Sequence, residues 1–310
     1  MLAVIPAPAL LTKTSSFPKC LTVVSTSRRK SSGLVTSATT SSAFDCFGDT
    51  LRHSLATADT LSARLPFSRA GANVVVTGRR ADKVSEVAKE CLKVSPKQSK
   101  ALEVVADVTK PEDLRRLVDT TVKHFGKLDV LVNNAGAGIA ANISDKNFYD
   151  NYLKVMQINL NSVVYLTHIC VEHLEKTKGN VINISSIAAM RAFTGFSPYS
   201  VAKAAMDMFT KCMAAELGPK RIRVNVINPG PIRTEFMEAM STPKEMADKI
   251  FDAYGKLTMV GRVGESNDVG DSILYLASDH AAFVTGTNLI VDGGVLAANS
   301  INSDALKDFM

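Results

Sequence analysis

The stretch SPYSVAKAA (197–205) sets Tyr199 and Lys203 four residues apart. Serine followed by proline is a helix-start signal, because serine caps free N–H groups and proline suits the first turn. On a helix opened there, the phenol and the ammonium lie one turn apart on a single face. A free tyrosine ionises near pH 10, roughly, too high for a base at neutrality, and a neighbouring ammonium favours the phenolate. The pair therefore reads as a proton-transfer device acting on a substrate oxygen. Two more polar residues join it. Ser186 directly follows the apolar run NVINIS, and Asn159 lies in a long helical pattern where an amide is disfavoured without a partner.

These residues need a scaffold, and hydrophobic patterning supplies one from about residue 65 onward. ANVVVTG (72–78), KALEVVAD (100–107), LDVLVNNAG (128–136), NVINIS (180–185), IRVNVINPG (222–230) and TNLIVDGG (287–294) read as buried strands. Between them lie helical patterns at 81–94, from Pro111 to Gly126, around 150–177, from Pro198 to Leu217 and at 266–277, with a looser segment at 235–262. Thr109 followed by Glu112 predicts a capping box for the second of these helices. Strands alternating with helices at this interval predict an α/β, Rossmann-like doubly wound parallel sheet. Ligands bind such sheets at the carboxyl ends of the strands, where these runs end in polar residues or glycine.

Composition narrows the function. The chain has 310 residues, 46% hydrophobic, with a net charge of +6. Five of the basic residues (Lys13, Lys19, Arg28, Arg29, Lys30) fall in an acid-free, Ser/Thr-rich stretch over 1–44, so the remainder carries about +1. A near-neutral body argues against a nucleic-acid footprint. No apolar run approaches the roughly 18 residues of a membrane span. The five cysteines show no CxxC spacing and read as free thiols, and His168, Cys170 and His173 lack zinc-ligand spacing, so no metal is expected. Residues 1–44 are expected to be a disordered or targeting leader and 45–64 an atypical segment. The main domain then spans 65–296, and 297–310 is a tail. Localisation is cytoplasmic, or mitochondrial or plastid if the leader acts as a transit peptide.

NNAG (133–136), INLNS around Asn159, NISS (183–186), YSVAK (199–203), NPGPIRT (228–234) and VDGG (291–294), with thirteen residues from Ser186 to Tyr199, resemble the classical short-chain dehydrogenase/reductase family. Within it, the 3-oxoacyl-[acyl-carrier-protein] reductases are the commonest precedent. The resemblance implies a catalytic set of Asn159, Ser186, Tyr199 and Lys203. Tyr199 would transfer the proton, Ser186 would stabilise the substrate oxygen, and Lys203 would hold the nicotinamide ribose and lower the tyrosine pKa. Asn159 would anchor a water linking Lys203 to solvent. The resemblance also implies contacts of Pro229, Gly230, Ile232 and Thr234 with the nicotinamide end, of Asn134 and Gly136 with the adenosine ribose, and of Asp107 and Val108 with the adenine. Arg79 follows the strand where a ribose-selecting residue belongs. An arginine there pairs with a 2′-phosphate, so the cofactor expected is NADP in preference to NAD. A small-molecule carbonyl or alcohol substrate and a homo-oligomer, a homotetramer, are further implications.

One family feature is missing. A strand, a T-G-x-x-x-G-x-G turn and a helix should precede Gly71, yet only Gly33 and Gly48 occur between residues 31 and 70. LTVVS (21–25) or GLVTS (33–37) offers a first strand, but neither leads into such a turn. Pro66 also weakens a helix running into Phe67. The function expected is an NAD(P)-dependent oxidoreductase interconverting a secondary alcohol and a ketone. The alternative is a cofactor-impaired, non-catalytic Rossmann-like binding protein. Phe236, Met237, Met240, Met246, Ile250, Phe251 and Tyr254 would supply the apolar lid over the substrate.

Overall fold

A computed structural model describes residues 20–24, 64–96, 99–234, 236–239 and 242–297. Seven strands form one sheet: β1 (Cys20–Val24), β2 (Asn73–Gly78), β3 (Ala101–Val105), β4 (Val130–Asn133), β5 (Asn180–Ile184), β6 (Arg223–Pro229) and β7 (Asn288–Val291). Every pairing is parallel, and the spatial order is β3-β2-β1-β4-β5-β6-β7. The chain crosses from one edge to the other at β1 and β4, which is the switch point where such sheets bind ligands.

β1 overlaps LTVVS (21–25), the first of the two candidate strands, and puts an ordered strand inside the expected leader. Within the stretch read as a disordered or targeting leader, Cys20–Val24 is an interior strand, with Leu21 in register with Val74 on one side and Val130 on the other. Its sequence, CLTVV, is uncharged and rich in β-branched residues, which suits a strand flanked on both sides. The glycine count of the following turn gave no guide to it. Residues 25–63, which cover most of the stretch read as an atypical segment, lie outside the described residues.

The period-two alternation of each strand sorts its side chains between two cores. Val74, Val76, Val130, Val132, Ile182, Ile184 and Ile227 face one core. There they meet Phe67 of helix α1 (Arg64–Arg69), Val84 and Val87 of α2 (Ala81–Val94), and Val269 and Ile273 of α9 (Ser266–Ala277). Val75, Leu131, Val181 and Val224 face the other, against Leu114 and Leu117 of α3 (Pro111–Phe125) and Leu166, Cys170 and Leu174 of α5 (Ser162–Thr177). Helices thus cover both faces. Pro66 falls within the first turn of α1, where its missing N–H has no helical partner to lose, and Phe67 anchors that helix in the core.

Local capping differs from the sequence reading. Helix α3 starts at Pro111 after Lys110, without a side-chain cap. Thr109 instead donates to Asp107 Oδ1 (2.8 Å), while the Asp107 N–H donates to Asp113 (2.8 Å). Ser197 is the first residue of α6 (Ser197–Leu217) rather than its cap, which is Phe196. The segment read as loose contains α7 (Phe236–Ala239) and α8 (Lys244–Leu257). Among the described residues, no helix is long and apolar enough to cross a membrane.

Candidate active site

Ser186 follows β5 at the carboxyl edge of the sheet, and Tyr199 lies in the first turn of α6. The Ser186 hydroxyl stands near enough to the Tyr199 phenol to act on its ionisation. The Ser186 hydroxyl also accepts from the Ala188 N–H (3.1 Å), which fixes its rotamer. Both residues line a cavity of about 300 Å³ together with Pro229, Gly230, Ile232 and Thr234, so six of the thirteen site residues expected from sequence converge on one space. The remaining wall is apolar: Phe193, Phe196, Phe236, Met237, Phe251 and Tyr254 contribute to it. Of the expected lid residues, Phe236, Met237, Phe251 and Tyr254 line the cavity. Met246 is exposed, Ile250 does not reach the lining, and Met240 lies outside the described residues.

Lys203 is buried one turn beyond Tyr199. Its Nζ donates to the Ile184 carbonyl (2.8 Å) and lies 5.5 Å from the centre of the tyrosine ring. Burial pushes Tyr199 up to about 12, with the neighbouring Ser186 hydroxyl opposing, and pulls Lys203 down to about 7 against the charge of Asp207. The expected lowering of the tyrosine by the lysine is therefore overridden. Both groups are desolvated, and each is driven toward its neutral form.

Asn159 is fully buried on a π-helical segment (Gln157–Asn161) between α4 (Phe148–Met156) and α5, not in a regular helix. Its Nδ2 donates to the carbonyls of Ala137 and Val155 (2.8 Å each), and its Oδ1 accepts from the Ala137 N–H (3.1 Å). The amide thus ties the widened helix turn to the loop after β4. That loop carries Asn134 and Gly136, both buried.

Arg79 and Asp107 occupy the ends of β2 and β3, with Arg79 Nη1 4.0 Å from Asp107 Oδ2. Val108 packs its side chain into the second core, so only its backbone faces outward. Gly230 is required by the fold itself: a Cβ there would stand 2.6 Å from the Asp292 Cα, in the VDGG turn. That contact, rather than a ligand's approach, excludes a side chain. From Arg79 through Asp107, Asn134 and Lys203 to Gly230, the candidates follow the carboxyl edge of the sheet from β2 to β6. An elongated ligand with a nucleoside at each end fits this distribution, including an anionic group beside Arg79. The segment that would meet its central phosphates, between β1 and α1, lies outside the described residues.

Comparison with known proteins agrees with this layout. A family profile described as "Enoyl-(Acyl carrier protein) reductase" matches residues 62–296. Human dehydrogenase/reductase SDR family member 4 is 36% identical over 231 residues, covering 72% of this chain and 78% of that protein. The chain belongs to the short-chain dehydrogenase/reductase family. It is therefore an oxidoreductase of a family that uses nicotinamide nucleotides. Trans-4-hydroxycyclohexanecarboxylate dehydrogenase of Sinomonas cyclohexanicum is 34% identical, covering 76% of this chain and 87% of that one. A short-chain dehydrogenase/reductase from Caenorhabditis elegans, solved with cofactor, superposes with a TM-score of 0.73 at 35% identity, covering 78% and 92% of the two chains. A 7α-hydroxysteroid dehydrogenase complexed with NADH and 7-oxoglycochenodeoxycholic acid gives 0.69 at 31% identity, covering 75% and 88%.

Sequence reasoning missed the asparagines and the acid that knit the strand ends together. Asn133 donates to Asn183 Oδ1 (2.8 Å), and Asn183 donates to Thr210 (2.8 Å). Asn228 and Asn288 both donate to Asp207. Asp207 carried a legible signal, being an acid four residues after Lys203 on the same helix face.

Proposed function

We propose that this chain is an NADP-dependent reductase of uncharged, apolar ketones, which also runs in reverse on the matching secondary alcohols. The observation that carries the reading is that Ser186 and Tyr199 line one cavity whose lining, among the described residues, holds no Lys, Arg, His, Asp or Glu. A charged substrate would lose its hydration there without gaining a partner. The nicotinamide nucleotide supplies the hydride when bound, and Lys203, Asn134 and Arg79 would hold its two nucleoside ends.

The chain's own residues handle the proton. Ser186 donates a hydrogen bond to the carbonyl oxygen, stabilising the negative charge that develops there. Tyr199, pushed up to about 12, carries its proton at neutral pH and can pass it to that oxygen. Protonated tyrosine is the form that reduction requires, which supports this direction. Lys203 lies one turn behind it to replenish or balance that proton. Arg79 at the end of β2 supports NADP over NAD, since a guanidinium matches a 2′-phosphate. Exposed apolar residues on the helices behind the site (Tyr149, Leu153, Val164, Val201, Met208) support a homotetramer.

The test is a nucleotide-oxidation assay on the full chain. Each nucleotide is offered with cyclohexanones, aryl ketones and, as controls, 2-oxo acids of similar size. Faster NADPH than NADH oxidation, with neutral ketones preferred, is the expected result. Preference for the oxo acids would overturn the substrate assignment, and preference for NADH would overturn the cofactor assignment.

A further inference from the structure

Helix α6 carries a third polar side chain in line with Tyr199 and Lys203. Asp207 follows Lys203 by one turn, as Lys203 follows Tyr199, and it is only 8% exposed. Its Oδ2 accepts from Asn228 Nδ2 on β6 and from Asn288 Nδ2 at the start of β7, each at 2.8 Å. Asn228 Nδ2 also donates to the Ser186 carbonyl (3.1 Å), and Asn288 Nδ2 donates to Asn228 Oδ1 (3.1 Å). The other oxygen of Asp207, Oδ1, is buried without a hydrogen-bond partner among the described residues. Beside it the Ser185 hydroxyl donates to the Lys203 carbonyl (3.1 Å).

We propose that Asp207 is a positioning residue of the active site: a buried carboxylate that offsets part of the cost of burying the Lys203 ammonium and, through Asn228, fixes the backbone carrying Ser186. The proposal rests on the roles of Lys203 and Ser186 argued above. A buried ammonium with one carbonyl acceptor is strongly penalised unless an opposite charge stands nearby. Asp207 is the charged group acting on Lys203, and Lys203 is the one acting on Asp207. β5, β6 and β7 present Ser185, Asn228 and Asn288 to this pair, all of them uncharged.

Packing alone does not explain the arrangement. Apolar residues of similar volume commonly replace a buried ion pair at no loss of stability. A carboxylate with an unused lone pair, by contrast, keeps its negative potential available to the ammonium one turn away. The charge also lies far enough from the cavity to avoid meeting substrate: Asp207 is absent from the lining. It acts on the reaction only through Lys203 and Asn228.

The experiment compares wild type with D207N, which keeps an acceptor for the two asparagine amides and removes only the charge. Trace acetylation at a series of pH values, with quantification of the Lys203 peptide, reads the titration of that lysine without any nucleotide bound. The expected result is a half-titration point at least one pH unit lower in D207N, largely restored in D207E. The alkaline limb of the ketone-reduction profile should move by the same amount in the same direction. If D207N does not fold, D207S removes the same charge with less volume and takes its place. An unchanged Lys203 titration overturns the proposal, whatever the activity. If the titration shifts but the wild type oxidises neither nucleotide with any ketone, the control of Lys203 by Asp207 stands and the reductase reading fails.

Discussion

Ser186, just past the end of β5, and Tyr199, in the first turn of α6, line the same cavity. One oxygen atom of a substrate placed in the cavity can meet both. If Tyr199 moves the proton, Y199F lowers ketone reduction by about 10²-fold or more, the usual worth of a positioned acid. Nucleotide binding and thermal unfolding should stay close to wild type, because the ring remains in its apolar cluster with Val155 and Ala202. Turnover within a few-fold of wild type would remove Tyr199 from the mechanism.

Arg79 stands 4.0 Å from Asp107 at the ends of adjacent strands, so it presents a positive charge oriented by a carboxylate. In R79A the dissociation constant for NADPH should rise about ten- to a hundredfold, the worth of a hydrogen bond to a charged group. NADH, which has no 2′-phosphate, should change about twofold or less by the same reasoning. Fluorescence titration of both nucleotides measures this, and equal losses would mean a damaged fold rather than a lost phosphate contact.

The two predictions draw on different amounts of sequence information. Tyr199 was legible from the Ser-Pro helix start and its spacing to Lys203, and Ser186 and the ends of β4, β5 and β6 because apolar runs stop at polar residues; both signals are local. β1 was legible only in part: LTVVS stood as one of two candidate strands in a Ser/Thr-rich stretch, and only pairing with β2 and β4, 50 and more residues downstream, selects it. The expected low tyrosine pKa also failed, because spacing along a helix reveals proximity to Lys203 but says nothing of the desolvation acting on both groups. Similarly, Asn159 announced itself as an oddity in a helix, yet the π-helical widening that lets its amide reach Ala137 has no sequence signature of its own.

Lys203 makes stability depend on pH. Burial holds its pKa at about 7 in the folded chain, below the unfolded value near 10.5, so between these limits the unfolded state binds more protons. Its contribution therefore rises as pH increases from about 7 toward 10, and is fully unfavourable below 7. The melting temperature of K203M relative to wild type should be higher at pH 6.5 than at pH 9.5. A difference that grows with pH would contradict the placement of Lys203 in a desolvated site.

The interior position of β1 can be tested by proline. Val23 is in register with Val76 on one flank and with Val132 on the other, so its backbone lies between two ladders. Proline there removes a donor and is confined in natural sheets to edges and bulges. V23P should lower the melting temperature by roughly 10 °C or abolish cooperative unfolding, given how stability scales to temperature for a domain of this size. An unaffected V23P protein would show that residues 20–24 do not complete the sheet.

The last prediction concerns how tightly the nucleotide is held. Residues 25–63 link β1 to α1, and in sequence they contain only Gly33 and Gly48, not the T-G-x-x-x-G-x-G spacing. Glycines in that turn let backbone N–H groups close on the pyrophosphate at a helix N-terminus, and side chains at those positions obstruct the approach. Two lost hydrogen bonds to a charged group weaken binding by about 3 kcal/mol or more, at least a hundredfold. NADPH should therefore bind the full chain with a dissociation constant of about 100 µM or weaker, even though the candidate residues for both nucleoside ends are in place. Isothermal titration of NADPH against 2′-phospho-AMP, which lacks the pyrophosphate bridge, isolates the effect. If the missing turn is the cause, the dinucleotide gains little over the mononucleotide. Binding of NADPH in the low micromolar range, far ahead of the mononucleotide, would show that another part of residues 25–63 grips the phosphates.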